Sequence, residues 1–377
     1  MSASHPSPPD DRPQPGNYLS AIRPGGERIR VLIVDDSAIV RKVLSEELSH
    51  LPDIEVVGTA IDPYSAREKI FELRPDVLTL DLQMPRMDGL SFLEKLMQHH
   101  PLPVVVVSSL AQENSEEALR ALELGAVEIV PKPGSQFSVP DVRETLASAI
   151  RAAATARLEV VRPPSKGRGH STVPRQAAIP PASLIVIGAS AGGTVAIEYV
   201  LRRLPTDIPG IVIVQHMPAG FTEHFARRLD QVCELEVREA TNGAMIQNGS
   251  VWIAPGGFHT LIQKIGSRHF LNVRGGPAVN RHKPSVDVLF HSVARALGPD
   301  AMGIVLSGMG ADGAKGLLAM REAGAHTITQ DEQSSIVYGM PKAAFEIGAA
   351  VEVAALEEIP GMILAARTDE APRIPTR

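Results

Sequence analysis

Two groups of residues in this chain have types and spacings that could do chemistry. The first is a hydroxyl, an imidazole and a carboxylate. Ser190 lies in Gly188-Ala189-Ser190-Ala191-Gly192, which fits the G-x-S-x-G pattern of a nucleophile on a sharp turn between strand and helix. His216 ends the apolar run Gly210-Ile-Val-Ile-Val-Gln-His216, and Asp312 follows the run Met302–Leu306. A nucleophile, a base and an orienting carboxylate are the parts of covalent acyl transfer. The second group is Asp35 with Asp36, Asp81, Ser108 and Lys132, each at the end of its own apolar run. Converging carboxylates repel one another. A hard divalent cation such as Mg2+ relieves that, using one or two carboxylates plus waters and phosphate oxygens.

Taken singly, each signal has a plainer reading. Acids after strands start turns, lone histidines are mostly structural, and Asp312 could cap a helix beginning near Gly313. Their shared placement argues for function, because open parallel sheets gather functional groups beyond the carboxyl ends of their strands.

The elements that must hold these groups follow from the pattern around them. Strands are expected at Arg30–Val34, Ile54–Ala60, Val77–Leu80, Val104–Ser108 and Ala126–Val130, with amphipathic helices between them. Residues 29–150 therefore read as an α/β domain with a doubly wound parallel sheet, of flavodoxin-like kind. Residues 183–367 give further apolar runs at Leu184–Ile187, Ile211–Val214, Ser250–Ile253, Met302–Leu306 and Ala325–Thr329, again with helical stretches between. This is a second α/β domain with a mainly parallel sheet. Residues 151–182 finish a helix and then form a proline-containing, weakly basic tether, and residues 1–28 and 368–377 read as tails.

Bulk properties narrow the function. The chain has 377 residues, 44% hydrophobic and 21% charged, which suits two packed domains rather than disorder. A net charge of -6 gives no general attraction to nucleic acid, and stacking aromatics and a reading helix are missing from the tether. No apolar span of about 18 residues suits a bilayer, no secretory signal is visible, and one cysteine, Cys233, fits a reducing compartment. A cytoplasmic protein with no direct membrane insertion is expected. Cys233 is expected in mid-helix, a poor place for a nucleophile. None of the 12 histidines has metalloprotease spacing. A dinucleotide fold would want a glycine where Ser190 stands and an acid where Gln215-His216 end the next strand. The order Ser190, His216, Asp312 also differs from the α/β-hydrolase order of Ser, acid, His.

Residues 29–150 resemble a response-regulator receiver domain through Val34-Asp-Asp-Ser37, Leu80-Asp-Leu-Gln-Met-Pro-Arg-Met-Asp-Gly89, Val107-Ser-Ser109 and Pro131-Lys-Pro133. The resemblance implies that Asp81 is the phosphoacceptor and that Asp35, Asp36 and Asp81 hold Mg2+. It also implies that Ser108 and Lys132 support the phosphoryl group and that the Lys132–Pro133 bond is cis. The usual aromatic switch position is Ile129.

Residues 183–366 resemble the catalytic domain of the chemotaxis protein-glutamate methylesterase (CheB) family. The matching stretches are Ile187-Gly-Ala-Ser-Ala-Gly-Gly-Thr194, Gln215-His-Met-Pro-Ala-Gly-Phe-Thr222, Trp252-Ile-Ala-Pro-Gly256, Val279-Asn-Arg-His-Lys-Pro-Ser-Val-Asp287 and Ser307-Gly-Met-Gly-Ala-Asp-Gly313. Ser190, His216 and Asp312 fall on that family's catalytic triad. Ala191 and Gly257 depart from its usual threonine and aspartate. The resemblance implies a phosphorylation-activated, monomeric carboxylic ester hydrolase. It would remove methyl esters from glutamates of methyl-accepting chemoreceptors and deamidate receptor glutamines, with a chemotaxis histidine kinase as phosphodonor and no cofactor in the catalytic domain. The alternative is a phosphorylation-gated binding module with an inactive esterase-like domain. Backbone N–H groups around His216 or Met309 are candidates to hold an oxyanion.

Overall fold

The structure, a computed structural model, describes residues 28–108, 112–132, 139–158 and 179–367. The expected tails, most of the tether and the Lys132–Pro133 bond lie outside the described residues.

β1 (Ile29–Val34), β2 (Ile54–Ala60), β3 (Val77–Leu80), β4 (Val104–Ser108) and β5 (Glu128–Pro131) form one parallel sheet in the order β2-β1-β3-β4-β5. Its central strands are β-branched and buried on both faces, as a sheet between two helical layers requires. The helices are α1 (Ala38–Ser49), α2 (Pro63–Leu73), α3 (Gly89–His99), α4 (Gln112–Glu123) and α5 (Val139–Ala154). Ser37 caps α1, its hydroxyl accepting from the Val40 N–H at 3.4 Å. Asp62 and Ser65 form a reciprocal capping box on α2. The chain crosses from one side of β1 to the other, so the loops after β1 and β3 meet at a topological switch point.

The second domain repeats the logic with a larger sheet. Its strands β6 (Leu184–Ala189), β7 (Gly210–Gln215), β8 (Glu236–Glu239), β10 (Ser250–Ile253), β13 (Ala301–Val305), β14 (His326–Gln330) and β15 (Glu352–Ala354) are parallel, in the order β15-β14-β13-β6-β7-β10-β8. A small antiparallel sheet, β11 (His259–Ile265), β12 (Arg268–Arg274) and β9 (Met245–Ile246), stands apart. The helices are α6 (Gly193–Leu201), α7 (Phe221–Val232), α8 (Val286–Leu297), α9 (Ala314–Glu322), α10 (Met340–Glu346) and α11 (Ile359–Ala365). Here too the chain starts in mid-sheet, at β6, with β7 on one side and β13 on the other. Ile185, Ile187, Ile213 and Ile304 on these strands are fully buried, each stabilising the fold by about 1.5–3 kcal/mol. Cys233 is not in mid-helix. It caps the end of α7 in extended conformation, and burial pushes its thiol up to about 11, so it holds its proton.

The receiver-like domain packs directly on the second. Leu119, Leu122 and Ile129 join one apolar cluster with Ala196, Ile197, Met217 and Phe221. Arg228 on α7 bridges the domains, reaching Glu123 on α4 at 2.7 Å and Glu198 on α6 at 3.1 Å. Beyond α5, the Arg157 N–H donates to the Ile336 carbonyl at 2.8 Å, and its guanidinium holds Glu332 at 2.6 Å.

Candidate active site

Ser190, His216 and Asp312 stand on the turns after β6, β7 and β13, three hydrogen-bonded neighbours in one sheet. Adjacent strands lie roughly 5 Å apart, so Ser190 and His216, each directly after its strand, are neighbours, while Asp312 arrives on a longer loop after Val305. The Ser190 turn is tightly built. Its N–H donates to the Ser307 carbonyl at 3.0 Å, and its carbonyl accepts from the Gln215 side-chain amide at 2.9 Å. The same amide donates to the His216 carbonyl at 3.2 Å, tying the two turns together. Gly308 allows the close approach: a β-carbon there would lie 2.9 Å from Ser190 Cβ and 2.4 Å from Met340 Sδ.

The imidazole of His216 is buried, with Nε2 2.8 Å from Asp312 Oδ2. A carboxylate only accepts, so Nε2 carries the proton and the lone pair of a neutral ring falls on Nδ1. That Nδ1 is buried without a hydrogen-bond partner among the described residues.

Asp312 does not cap the helix that follows it, whose N-cap is Gly313. Its carboxylate lies instead at the N-terminus of α8. Oδ2 accepts from the Val286 N–H at 2.7 Å, and Oδ1 from the Asp287 N–H at 3.3 Å, Ser285 Oγ at 2.8 Å and Asn280 Nδ2 at 2.7 Å. Burial opposes ionisation, but the hydrogen bonds from His216, Asn280 and Ser285 outweigh it and hold the carboxyl well below the usual range.

Sequence reasoning assigned no role to Asn280, His282, Ser285 or Gln215. Asn280 and Arg281 both have left-handed backbones, φ 52° and 68°, at the tip of a two-residue turn. The turn is closed by paired bonds between Val279 and His282 of 3.0 and 2.9 Å. It delivers the Asn280 amide to Asp312 and lays the His282 ring on His216, centroids 3.8 Å apart and planes 8° from parallel. The signal in the sequence was an Asn and a His packed into a short polar run just before a helix.

The oxyanion candidates can be sorted. The His216 N–H is committed to the Ala189 carbonyl at 3.0 Å. The N–H groups of Ala191 and Met309 have no acceptor among the described residues. Against this turn the first domain places its own backbone: the Gly192 N–H donates to the Val127 carbonyl at 3.3 Å. A cavity of only about 10 Å³ remains beside Ser190, walled by Val127, Glu128 and Ile129 on one side and Thr194, Gln215 and Met217 on the other.

The second constellation assembles at the end of the first sheet. Asp35, Asp36 and Asp81 bring carboxylate oxygens within 4.8 Å of one another. Lys132 Nζ reaches Asp35 at 2.9 Å and Asp81 at 2.7 Å, and its backbone N–H donates to the Ser108 carbonyl at 2.8 Å. Burial raises the Asp81 carboxyl, against the pull of Lys132. Lys132 is drawn down by burial but lifted on balance by the two carboxylates. Three carboxylates facing one ammonium, with Asp36 exposed, fit a hard divalent cation such as Mg2+.

The fold and these two constellations define a receiver-bearing hydrolase of response-regulator type. The receiver-domain family matches residues 31–142, and the family described as CheB methylesterase matches residues 185–363. A protein-glutamate methylesterase/protein-glutamine glutaminase of Syntrophus aciditrophicus is 50% identical over 335 residues, 88% of this chain and 97% of that protein. One from Bordetella bronchiseptica is 51% identical over 354 residues, 92% of this chain and all of that protein. The crystal structure of the Thermotoga maritima CheB methylesterase catalytic domain is 35% identical, with a TM-score of 0.48, over 48% of this chain and 97% of that chain. This chain belongs to the CheB family of protein-glutamate methylesterases/protein-glutamine glutaminases, with a receiver domain and a methylesterase domain.

Proposed function

We propose that the chain hydrolyses glutamate γ-methyl esters on methyl-accepting chemoreceptors, and deamidates receptor glutamines, with Ser190, His216 and Asp312 as the working triad. Ser190 Oγ attacks the ester carbonyl while His216 Nδ1 takes its proton. The C–O bond breaks, and the same nitrogen returns the proton to departing methanol. Water then adds to the acyl-serine by the same base, releasing a free carboxylate. With glutamine the leaving group is ammonia. The Ala191 and Met309 N–H groups receive the developing oxyanion, and Asp312 stabilises the imidazolium through Nε2. The observation that carries this reading is the buried, unpartnered Nδ1 of a histidine whose other nitrogen is fixed by a carboxylate beside Ser190's turn. An inactive esterase-like fold has no reason to keep so heavily hydrogen-bonded a carboxylate on one nitrogen of a buried histidine while leaving the other nitrogen without a partner.

The receiver supplies control. Asp35, Asp36 and Asp81 would hold Mg2+, which offsets negative charge during phosphoryl transfer from a chemotaxis histidine kinase to Asp81. Lys132 and Ser108 then meet the new phosphoryl oxygens. The added charge, roughly -1.5 to -2, competes for Lys132 and loosens the receiver's seat over the Ser190 turn. A substrate on the cytoplasmic part of a receptor makes the cytoplasm the place of work. Among the described residues no helix is long and apolar enough to cross a membrane. The test is methanol release from methylated receptor with and without a phosphodonor. Ser190→Ala is expected to abolish release, and Asp81→Asn to keep basal release but lose stimulation. Release by Ser190→Ala near the wild-type rate would refute the mechanism.

A further inference from the structure

Four features outside the triad invite a role. The exposed side chains Phe345, Ile347, Val351 and Val353 mark the β15 end of the sheet, but nothing identifies what would cover them. The groove between α4 and α7 mixes Glu116, Glu117 and Glu123 with Arg120, Arg227 and Arg228, so it favours no one charge. Glu128 belongs to the contact between the domains. The fourth, His282, touches the reacting machinery.

The geometry points to His282 as a positioning residue for the base: its ring, stacked face to face on His216, fixes the imidazole plane and favours the imidazolium that forms when Ser190 gives up its proton. The inference rests on the triad reading above. An edge contact from Asp312 fixes only one point of the His216 ring and leaves rotation about the Nε2–Oδ2 axis open. A parallel ring at 3.8 Å removes that freedom on one face. An aromatic face is also electron-rich, so it attracts a cation laid on it.

That attraction requires His282 to stay neutral. Burial and the neighbouring His216 push it down to about 3, with Arg281 adding to the push and Asp312 opposing it. The ring therefore presents a neutral face at any working pH. The turn that carries it is built for placement. Asn280 is anchored on Asp312 and Asp287 at 2.7 Å each, and the left-handed backbone at Arg281 is a conformation that the surrounding contacts must hold in place. The groups facing the His216 ring are Asp312 from the β13 loop and His282 from this turn, and the Ser190 turn is tied to the His216 backbone through the Gln215 amide. Those facing His282 are His216, Asp312 and Arg281.

The test uses the full-length, phosphodonor-treated protein and methylated receptor, reading kcat and kcat/KM for methanol release across pH. H282F keeps a neutral ring and H282L removes it. The expected result is a fall of about tenfold in kcat for H282L, with the acid-side midpoint about one pH unit lower, since the imidazolium has lost a stabilising neighbour. H282F stays near wild type in both. A purely structural role would lower the rate without moving the midpoint. Thermal melts check folding, and H282Q replaces H282L as the ring-free variant if H282L does not melt cooperatively. An unmoved midpoint in the ring-free variant, or H282F behaving like it, overturns the inference. His216→Ala runs alongside: activity retained there would sink the triad itself, a different failure.

Discussion

Glu128→Gln tests whether the contact between the domains is the gate. Glu128 opens β5 and lines the small cavity beside Ser190. Its carboxyl has no cationic partner among the described residues, and burial pushes it from the ordinary 4.5 up to about 8, opposed only by the Ile129 N–H. Lifting the receiver returns the carboxyl to water. The sign follows: a carboxyl whose value is raised in the docked form favours docking at low pH. That contribution is complete below about 4.5 and fades as pH rises towards 8. Carrying the group docked at pH 7 costs up to about 3 kcal/mol relative to a neutral side chain. Glu128 keeps some exposure, and half that figure, about tenfold in the docking equilibrium, is a fair expectation. The amide has no proton to take up, so Glu128→Gln should dock more firmly and independently of pH. The assay is basal methanol release by the unphosphorylated protein between pH 6 and 8.5, wild type against Glu128→Gln. Taking the ratio of the two rates at each pH removes whatever pH dependence the chemical steps share. The variant should run about tenfold below wild type near neutrality, converging at acid pH. A ratio flat across pH, or a more active variant, would refute the reasoning.

Two further perturbations separate gate from chemistry. Arg228→Ala removes the bridge from Glu123 to Glu198; at about 1 kcal/mol for a partly exposed pair, basal release should rise about fivefold while the fully phosphorylated rate stays fixed. Asp312→Asn should lower turnover by about 10⁴, because an amide can turn its donor to Nε2 and move the ring proton onto Nδ1; a loss below tenfold would count against the orienting role.

The strand-end acids and hydroxyl of the receiver, and the serine, histidine and aspartate of the esterase, were legible because a parallel sheet puts its chemistry at one edge. Apolar runs mark those edges in the sequence. The layer that tunes the site was not, for a physical reason. Asn280, His282 and Ser285 act through a turn with two left-handed residues, and nothing in Asn-Arg-His-Lys-Pro announces that backbone. Asp312 reads as a local helix cap when it serves the N-terminus of α8, a partner 25 residues away. The antiparallel excursion β11–β12 was missed because its strands are half exposed and carry Gln263, Lys264, Arg268 and Arg274 among their apolar residues. The contact between the domains was not legible either, because Arg228 meets Glu123 and Glu198 only once both folds exist.

The side chains of the proposed triad follow β13, β6 and β7, each strand hydrogen-bonded to the next, and the receiver's backbone meets this region at the turn beyond β6, where the Gly192 N–H donates to the Val127 carbonyl. Undocking therefore changes how many molecules are open, not what an open molecule does. Phosphorylation should multiply ester cleavage and amide cleavage by one common factor. The proportion of methanol to ammonia released from a mixed receptor population is then a constant of the catalytic domain, and the signalling input cannot retune it.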